Sequence, residues 1–164
     1  MEKQNYNYEA DYIRFNSKEL EIIKIVNNIG LPVLLSSKRD YDFIYQGKKG
    51  DVKIQEFLNK NKIVIETHLV FFNEGWRAKK WGIVNKVDGW LFSYDYILVS
   101  NQNLTRFVLF DLERFRNDGK HLLHSTRINK EITKSRKGWQ LVGEYIVIDL
   151  EDYKDYIVWQ VKLM

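Results

Sequence analysis

Apolar residues recur at Leu20, Ile22, Ile23, Val26 and Ile29, which is the spacing of one face of an α-helix. Asn16 and Glu19 precede and open that stripe with the spacing of a capping box, Asn taking the usual place of Ser or Thr. Gly30 and Pro32 close it, a C-cap glycine followed by a residue that cannot continue a helix. A helix over 16–29 is predicted. Downstream the period changes. Residues 33–35, two short runs within 39–57, and residues 63–72, 94–100, 106–110, 141–150 and 156–163 read as strands. Leu112–Asn117 reads as a short helix. Residues 73–87 fit a short helix or an ordered loop, and residues 119–138 are basic and weakly patterned. The order implies one domain over 1–164 of the α/β or α+β class, a mixed β-sheet flanked by helices.

The hairpin within 39–57 carries an unusual pattern. Two β-like runs flank Gly47, Lys48, Lys49 and Gly50. Glycine in the first central position suits a type II′ turn. A turn at Gly47-Lys48 sets Asp42 opposite Lys53 and Ile44 opposite Asp51, with the two acids diagonal neighbours roughly 7–8 Å apart at the backbone. A turn at Lys48-Lys49 sets Asp42 opposite Gln55 and spreads the acids. Either register puts Asp42, Asp51 and Lys53 on one face and Tyr41, Phe43, Tyr45, Val52 and Ile54 on the other. Paired carboxylates at such a spacing can converge on one cation. Equally, Asp42 and Lys53 can form a cross-strand ion pair worth about 1 kcal/mol or less. Asp40 faces the same way as Asp42, further from Lys53. On the next strand, alternation gives Glu66 and His68 one face and Ile65, Thr67 and Leu69 the other.

Composition narrows the chemistry. The 164 residues are 45% hydrophobic, enough for a core without staples. With 0 Cys, disulfides, cysteine-ligated zinc and thiol catalysis are excluded. No apolar run approaches the ~20 residues that span a bilayer, and the first residues lack a signal-peptide pattern, so a soluble, cytoplasmic protein is expected. Net charge is only +4, but it is unevenly distributed. Arg114, Arg116, Lys120, Arg127, Lys130, Lys134, Arg136 and Lys137 face only Asp118 and Glu131 in their segment, a positive stretch suited to a polyanion. Trp76 and Trp81 bracket Arg77, Lys79 and Lys80, a pattern that can stack bases and hold phosphates, or anchor a core. His121 and His124 have helical spacing but lack the further ligands of a zinc site.

Asp42, then Asp51-Val52-Lys53 after a turn, resembles the PD-(D/E)XK nuclease motif, in which an Asp begins one strand and acid-x-Lys follows on the next. The similarity extends over about residues 17–117, with a helix before the motif, Ile65-Glu66 after it, then Asp95 with its apolar run, and Phe107 to Phe115 as a strand running into a helix. The chain departs from the family in having Asp as the second acid, Gly50 before it, and no proline before Asp42.

The resemblance implies a restriction-endonuclease-like fold of phage or mobile-element type and a metal-dependent endonuclease hydrolysing DNA. It implies that Asp42, Asp51 and the Val52 carbonyl hold Mg²⁺ or Mn²⁺ and that Lys53 handles the attacking water. Glu66, Glu19, Gln55 and Asp40 are additional candidates. Arg77, Lys79, Lys80, Lys130, Lys134, Arg136 and Lys137 are candidates for DNA contact. Two alternatives stand beside this reading: a non-catalytic relative that binds nucleic acid or a host protein, and a type II-like restriction enzyme acting as a homodimer.

Overall fold

The computed structural model describes residues 17–38, 40–72, 83–128, 133–134 and 140–163. Helix α1 (Ser17–Asn28) leads into a six-stranded mixed sheet. Its strands are β1 (Leu34–Leu35), β2 (Phe43–Tyr45), β3 (Lys48–Ile54), β6 (Tyr96–Ser100), β7 (Arg106–Asp111) and β11 (Ile157–Lys162), in that spatial order. Between β3 and β6 the chain makes an excursion through β4 (Lys62–Phe72), β5 (Ile83–Asp88) and the one-turn helix α2 (Trp90–Ser93). β4 and β5 build a second, antiparallel sheet with β10 (Gln140–Asp149) and the short strands β8 (Arg127–Ile128) and β9 (Thr133–Lys134). The excursion lets β6 return parallel to β3, since parallel neighbours need a long crossover. Helix α3 (Leu112–Asn117) follows β7 directly, N-capped by Asp111, whose side chain accepts from the Arg114 amide.

Both faces of the main sheet are covered, making a helix–sheet–sheet sandwich of the α+β class. On one face α1 lays Ile22, Ile23 and Val26 against Phe43, Val52, Leu98, Phe107 and Leu109. Each such side chain, fully buried, contributes about 1.5–3 kcal/mol. On the other face Ile97, Val99, Val108 and Phe110 meet Ile63, Ile65, Ile146 and Ile148 of the second sheet, with Leu91 of α2 and Phe115 of α3. The near-continuous burial of β6 follows from this double covering.

Helix α1 ends in a Schellman motif. Gly30 adopts φ +109°, the Leu31 amide donates to the Val26 carbonyl at 2.9 Å, and the Gly30 amide donates to Asn27 at 3.3 Å. Asn27 then ties helix to sheet, donating to the Ile23 and Val33 carbonyls and accepting from the Val33 amide. Ile29, expected on the apolar stripe, is instead exposed, because Leu31 closes the core beyond the helix end. Asn16 of the expected capping box, and residues 73–82 with Trp76 and Trp81, lie outside the described residues. Among the described residues no helix is long and apolar enough to cross a membrane.

A candidate metal centre on the β2–β3 hairpin

The turn joining β2 to β3 is Gln46-Gly47, not Gly47-Lys48 or Lys48-Lys49. Pairing runs Phe43↔Gly50, Ile44↔Lys49 and Tyr45↔Lys48. Gln46 (φ 48°) and Gly47 (φ 75°) are both left-handed, as a type I′ turn demands. The Gly-first rule misplaced the turn because it needs one left-handed residue, and here there are two. The faces survive the shift and the partners do not. Asp42, just before β2, donates its amide to the Gly50 carbonyl, and its carboxyl group meets that of Asp51 rather than Lys53.

Asp42 is locked beside its partner strand by three main-chain contacts. Its amide donates to the Gly50 carbonyl at 2.9 Å, its carbonyl accepts from the Ser36 amide at 2.9 Å, and its Oδ2 accepts from the Val52 amide at 2.8 Å. In a strand a residue's N–H and C=O leave on the same edge. The Val52 carbonyl therefore emerges on the side where Asp42 sits. Gly50 makes the close approach possible: a Cβ there would lie within 2.6 Å of three Phe43 ring atoms.

The two carboxyl groups are buried, Asp42 at 9% exposure and Asp51 at 5%, and in hydrogen-bond contact. Two unit charges 4 Å apart repel by about 4 kcal/mol at a typical effective dielectric, which favours the protonated form of Asp42. Burial first, then contact with Asp51, pushes the Asp42 carboxyl up to about 8. Lys53 Nζ stands 2.7 Å from Asp51 Oδ2. It sits off the hydrogen-bonding angle, so Oδ2 is ion-paired yet buried without an aligned donor.

Glu66 and Glu19 reach the same place. Glu66 is buried at 5% exposure; burial raises its carboxyl, while a hydrogen bond with Tyr145 and the charge of Lys53 oppose this. Glu19, in the first turn of α1, is likewise raised by burial and feels Lys53 and Asp51. A strand irregularity separates Glu66 from His68. Tyr145 of β10 faces Glu66, the next residue Glu144 faces His68, and Thr67 between them is skipped. That is a β-bulge, and it puts Glu66 and His68 on opposite faces, contrary to simple alternation.

Gln55 does structural work. Its side chain exchanges both amide hydrogen bonds with the Val64 main chain, at 2.8 Å each, joining the two sheets. Asp40 is exposed. Arg77, Lys79, Lys80, Lys130, Arg136 and Lys137 lie outside the described residues, and Lys134 is described only as a strand residue facing Gln140. Two arginines of the basic segment are committed to the fold. Arg116 donates to the Leu91 and Tyr94 carbonyls and pairs with Asp95 at 3.2 Å, and Arg114 donates to the Asp155 carbonyl and lies over the Tyr156 ring. His124 meets the Tyr153 hydroxyl at 2.6 Å while His121 packs on Phe92, so the two histidines do not share a site.

Three aromatic residues of the site escaped sequence reasoning: Trp90, Tyr94 and Tyr145. The Trp90 ring centroid is 4.3 Å from Lys53 Nζ, and Tyr145 meets Trp90 edge-on. Burial, and then Asp51, Asp42, Asp40 and Glu66, raise the Tyr94 phenol well above its usual range. The i, i+4 spacing of Trp90 and Tyr94 just before Asp95 was the available signal.

Among the described residues no group of three or more His, Asp or Glu side chains cages a metal by itself. The donors present are nevertheless those a small hard cation takes: Mg²⁺ keeps several waters and binds one or two carboxylates plus substrate phosphate. The raised Asp42 carboxyl and the buried Asp51 Oδ2 mark where a cation would relieve the repulsion. Comparison of the chain with protein-family models, with curated proteins and with solved structures finds no match in any of the three.

Proposed function

We propose that the protein is a metal-dependent nuclease that hydrolyses DNA phosphodiester bonds, with its centre on the β2–β3 hairpin. The observation that carries this reading is the cluster of buried and half-buried acids beside Lys53: Asp51 pairs with it, Asp42 contacts Asp51, and Glu66 and half-buried Glu19 feel both Lys53 and Asp51. A buried pair of carboxyl groups in contact is costly to keep for stability alone. The main-chain anchors on Asp42 hold the pair in that costly arrangement.

Asp42, Asp51 and the Val52 carbonyl would hold Mg²⁺ or Mn²⁺. When bound, the ion supplies charge neutralisation at the phosphate and acidifies a water. The chain's own groups do the rest. Asp42 would lose its proton as the site is loaded, and the two carboxylates would then serve together as ligands. Lys53, two residues along the same face, orients the attacking water and stabilises negative charge on the phosphate oxygens. Glu66, held by Tyr145, borders the site and repels a misplaced phosphate. The order of α1, β2, β3 and the parallel β6 agrees with the PD-(D/E)XK resemblance and supports the same assignment.

The test is incubation of single- and double-stranded DNA with Mg²⁺ or Mn²⁺, wild type beside Asp51→Ala. Cleavage by wild type alone is the expected outcome. Absence of cleavage by either protein overturns the nuclease and leaves a binding protein.

A further inference from the structure

Lys53 is restrained from two sides. Asp51 Oδ2 stands 2.7 Å from its Nζ, and the face of Trp90 lies 4.3 Å from the same atom. An ammonium within about 6 Å of an indole centroid is attracted by the ring's negative face. The two restraints differ in one respect. Asp51 is also the carboxylate assigned to the cation, so its hold on Lys53 weakens whenever the site is loaded. A lysine stem is long and flexible. Without a second restraint the ammonium would swing away from the metal when it is needed most. Trp90 is uncharged and attracts Lys53 equally in either state.

The seat of Trp90 is built with unusual closeness. The Gly89 amide donates to the carbonyl of Thr67, the bulged residue of β4, at 2.9 Å. A Cβ on Gly89 would lie 2.9 Å from the Glu66 carbonyl, the Glu66 Cγ and the His68 amide. Only glycine allows the chain to pass so near β4, and Trp90 is the next residue. Tyr145, facing Glu66 across the bulge, then braces the indole edge-on, with centroids 5.8 Å apart.

We propose that Trp90 is a positioning residue: the bulge at Thr67 and Gly89 packed on it hold the indole over Lys53, keeping the ammonium in place when Asp51 engages a cation. The inference rests on the nuclease reading, and two measurements separate the fate of each. The first is the NMR shift of the Lys53 ε-protons, which the indole ring current displaces upfield. The displacement is expected in wild type, with and without Mg²⁺, and is lost in Trp90→Leu. The second is steady-state cleavage. Trp90→Leu lowers kcat roughly 10²-fold, the scale of a 1 Å misplacement, with KM little changed. Trp90→Phe, which keeps a ring face, restores most of the rate. Trp90→Met stands in as the ringless variant if the leucine variant loses its dispersed spectrum. Wild-type kcat in a folded ringless variant, an unmoved Lys53 shift, or a phenylalanine variant no better than leucine overturns the proposal. A wild type that cleaves nothing overturns the nuclease reading, and the NMR measurement alone then decides whether Trp90 holds Lys53.

Discussion

On one side of the Thr67 bulge, Glu144 meets Lys86 at 2.8 Å and His68 at 3.6 Å. On the other, Asp51 pairs with Lys53, Asp42 contacts Asp51, and Glu66 feels both Lys53 and Asp51. Both clusters are polar; the first lies within the second sheet, and the second spans the two sheets. The first is matched charge for charge, as a structural ion pair is. The second is short of positive charge, and the Asp42 carboxyl is pushed up to about 8 in consequence. What separates a site from a brace in this protein is thus the balance of charge, more than the amount of it. The bulge is what keeps the two apart. Without the extra residue, Glu66 and His68 would share a face.

The comparison breaks most decisively at Asp51. Asp51→Ala is expected to remove cleavage by at least about 10²-fold, the effect of deleting one preorganised charge-stabilising group, while raising rather than lowering the urea midpoint at pH 8. A variant that cleaves like wild type dissolves the distinction. The next effect is on stability. The Asp42 carboxyl sits at about 8 in the folded chain against an ordinary 3.8, so the native state keeps a proton that the unfolded chain releases. Its stabilising contribution is full below about pH 4, declines as pH rises through the interval, and is flat above about pH 8. The loss is on the order of a few kcal/mol in metal-free buffer. Urea unfolding at pH 5 and pH 8.5 measures it. Asp42→Asn should flatten the profile, and added Mg²⁺ at pH 8.5 should recover wild type alone.

Gly89→Ala is expected to cost about 1–3 kcal/mol, because the new methyl meets main chain on β4 that cannot yield. Thermal unfolding reads the cost, and cleavage should fall with it. The smallest effect belongs to the matched cluster. Lys86→Gln, on a side chain 43% exposed, should change stability by less than about 1 kcal/mol and leave cleavage unchanged. A cleavage defect there would make the balanced cluster part of the site.

Much of this was legible in the sequence because it is local. Leu112–Asn117 is a helix at the expected residues, since Asp111 caps it from the adjacent position. The hairpin faces were readable because parity survives a shift of two in register. The register itself was not, because the turn places Gln46 in the left-handed region, where Asn, Asp or Gly is usual. Tyr145 was out of reach for a different reason. It joins the site through β10, which pairs with β4 across a long stretch of chain. The skipped Thr67 reversed the faces of everything after it, and nothing in the alternation of Ile65, Glu66, Thr67 and His68 announces a bulge.

The two-residue turn at Gln46-Gly47 has a consequence in time as well as in space. A hairpin closes in microseconds, long before distant strands find each other. Asp42 and Asp51 therefore meet early in folding, while Trp90 and the second sheet are still unformed. Contact with Asp51 comes with the hairpin, but burial, the larger cause of the raised Asp42 carboxyl, comes only as the sheets pack. Raising the pH should therefore slow the folding limb of the chevron and speed the unfolding limb as well. A protein whose chemistry depends on crowding two acids together would thus encounter that difficulty first, at birth, before it has acquired the lysine's full setting or any substrate to act on.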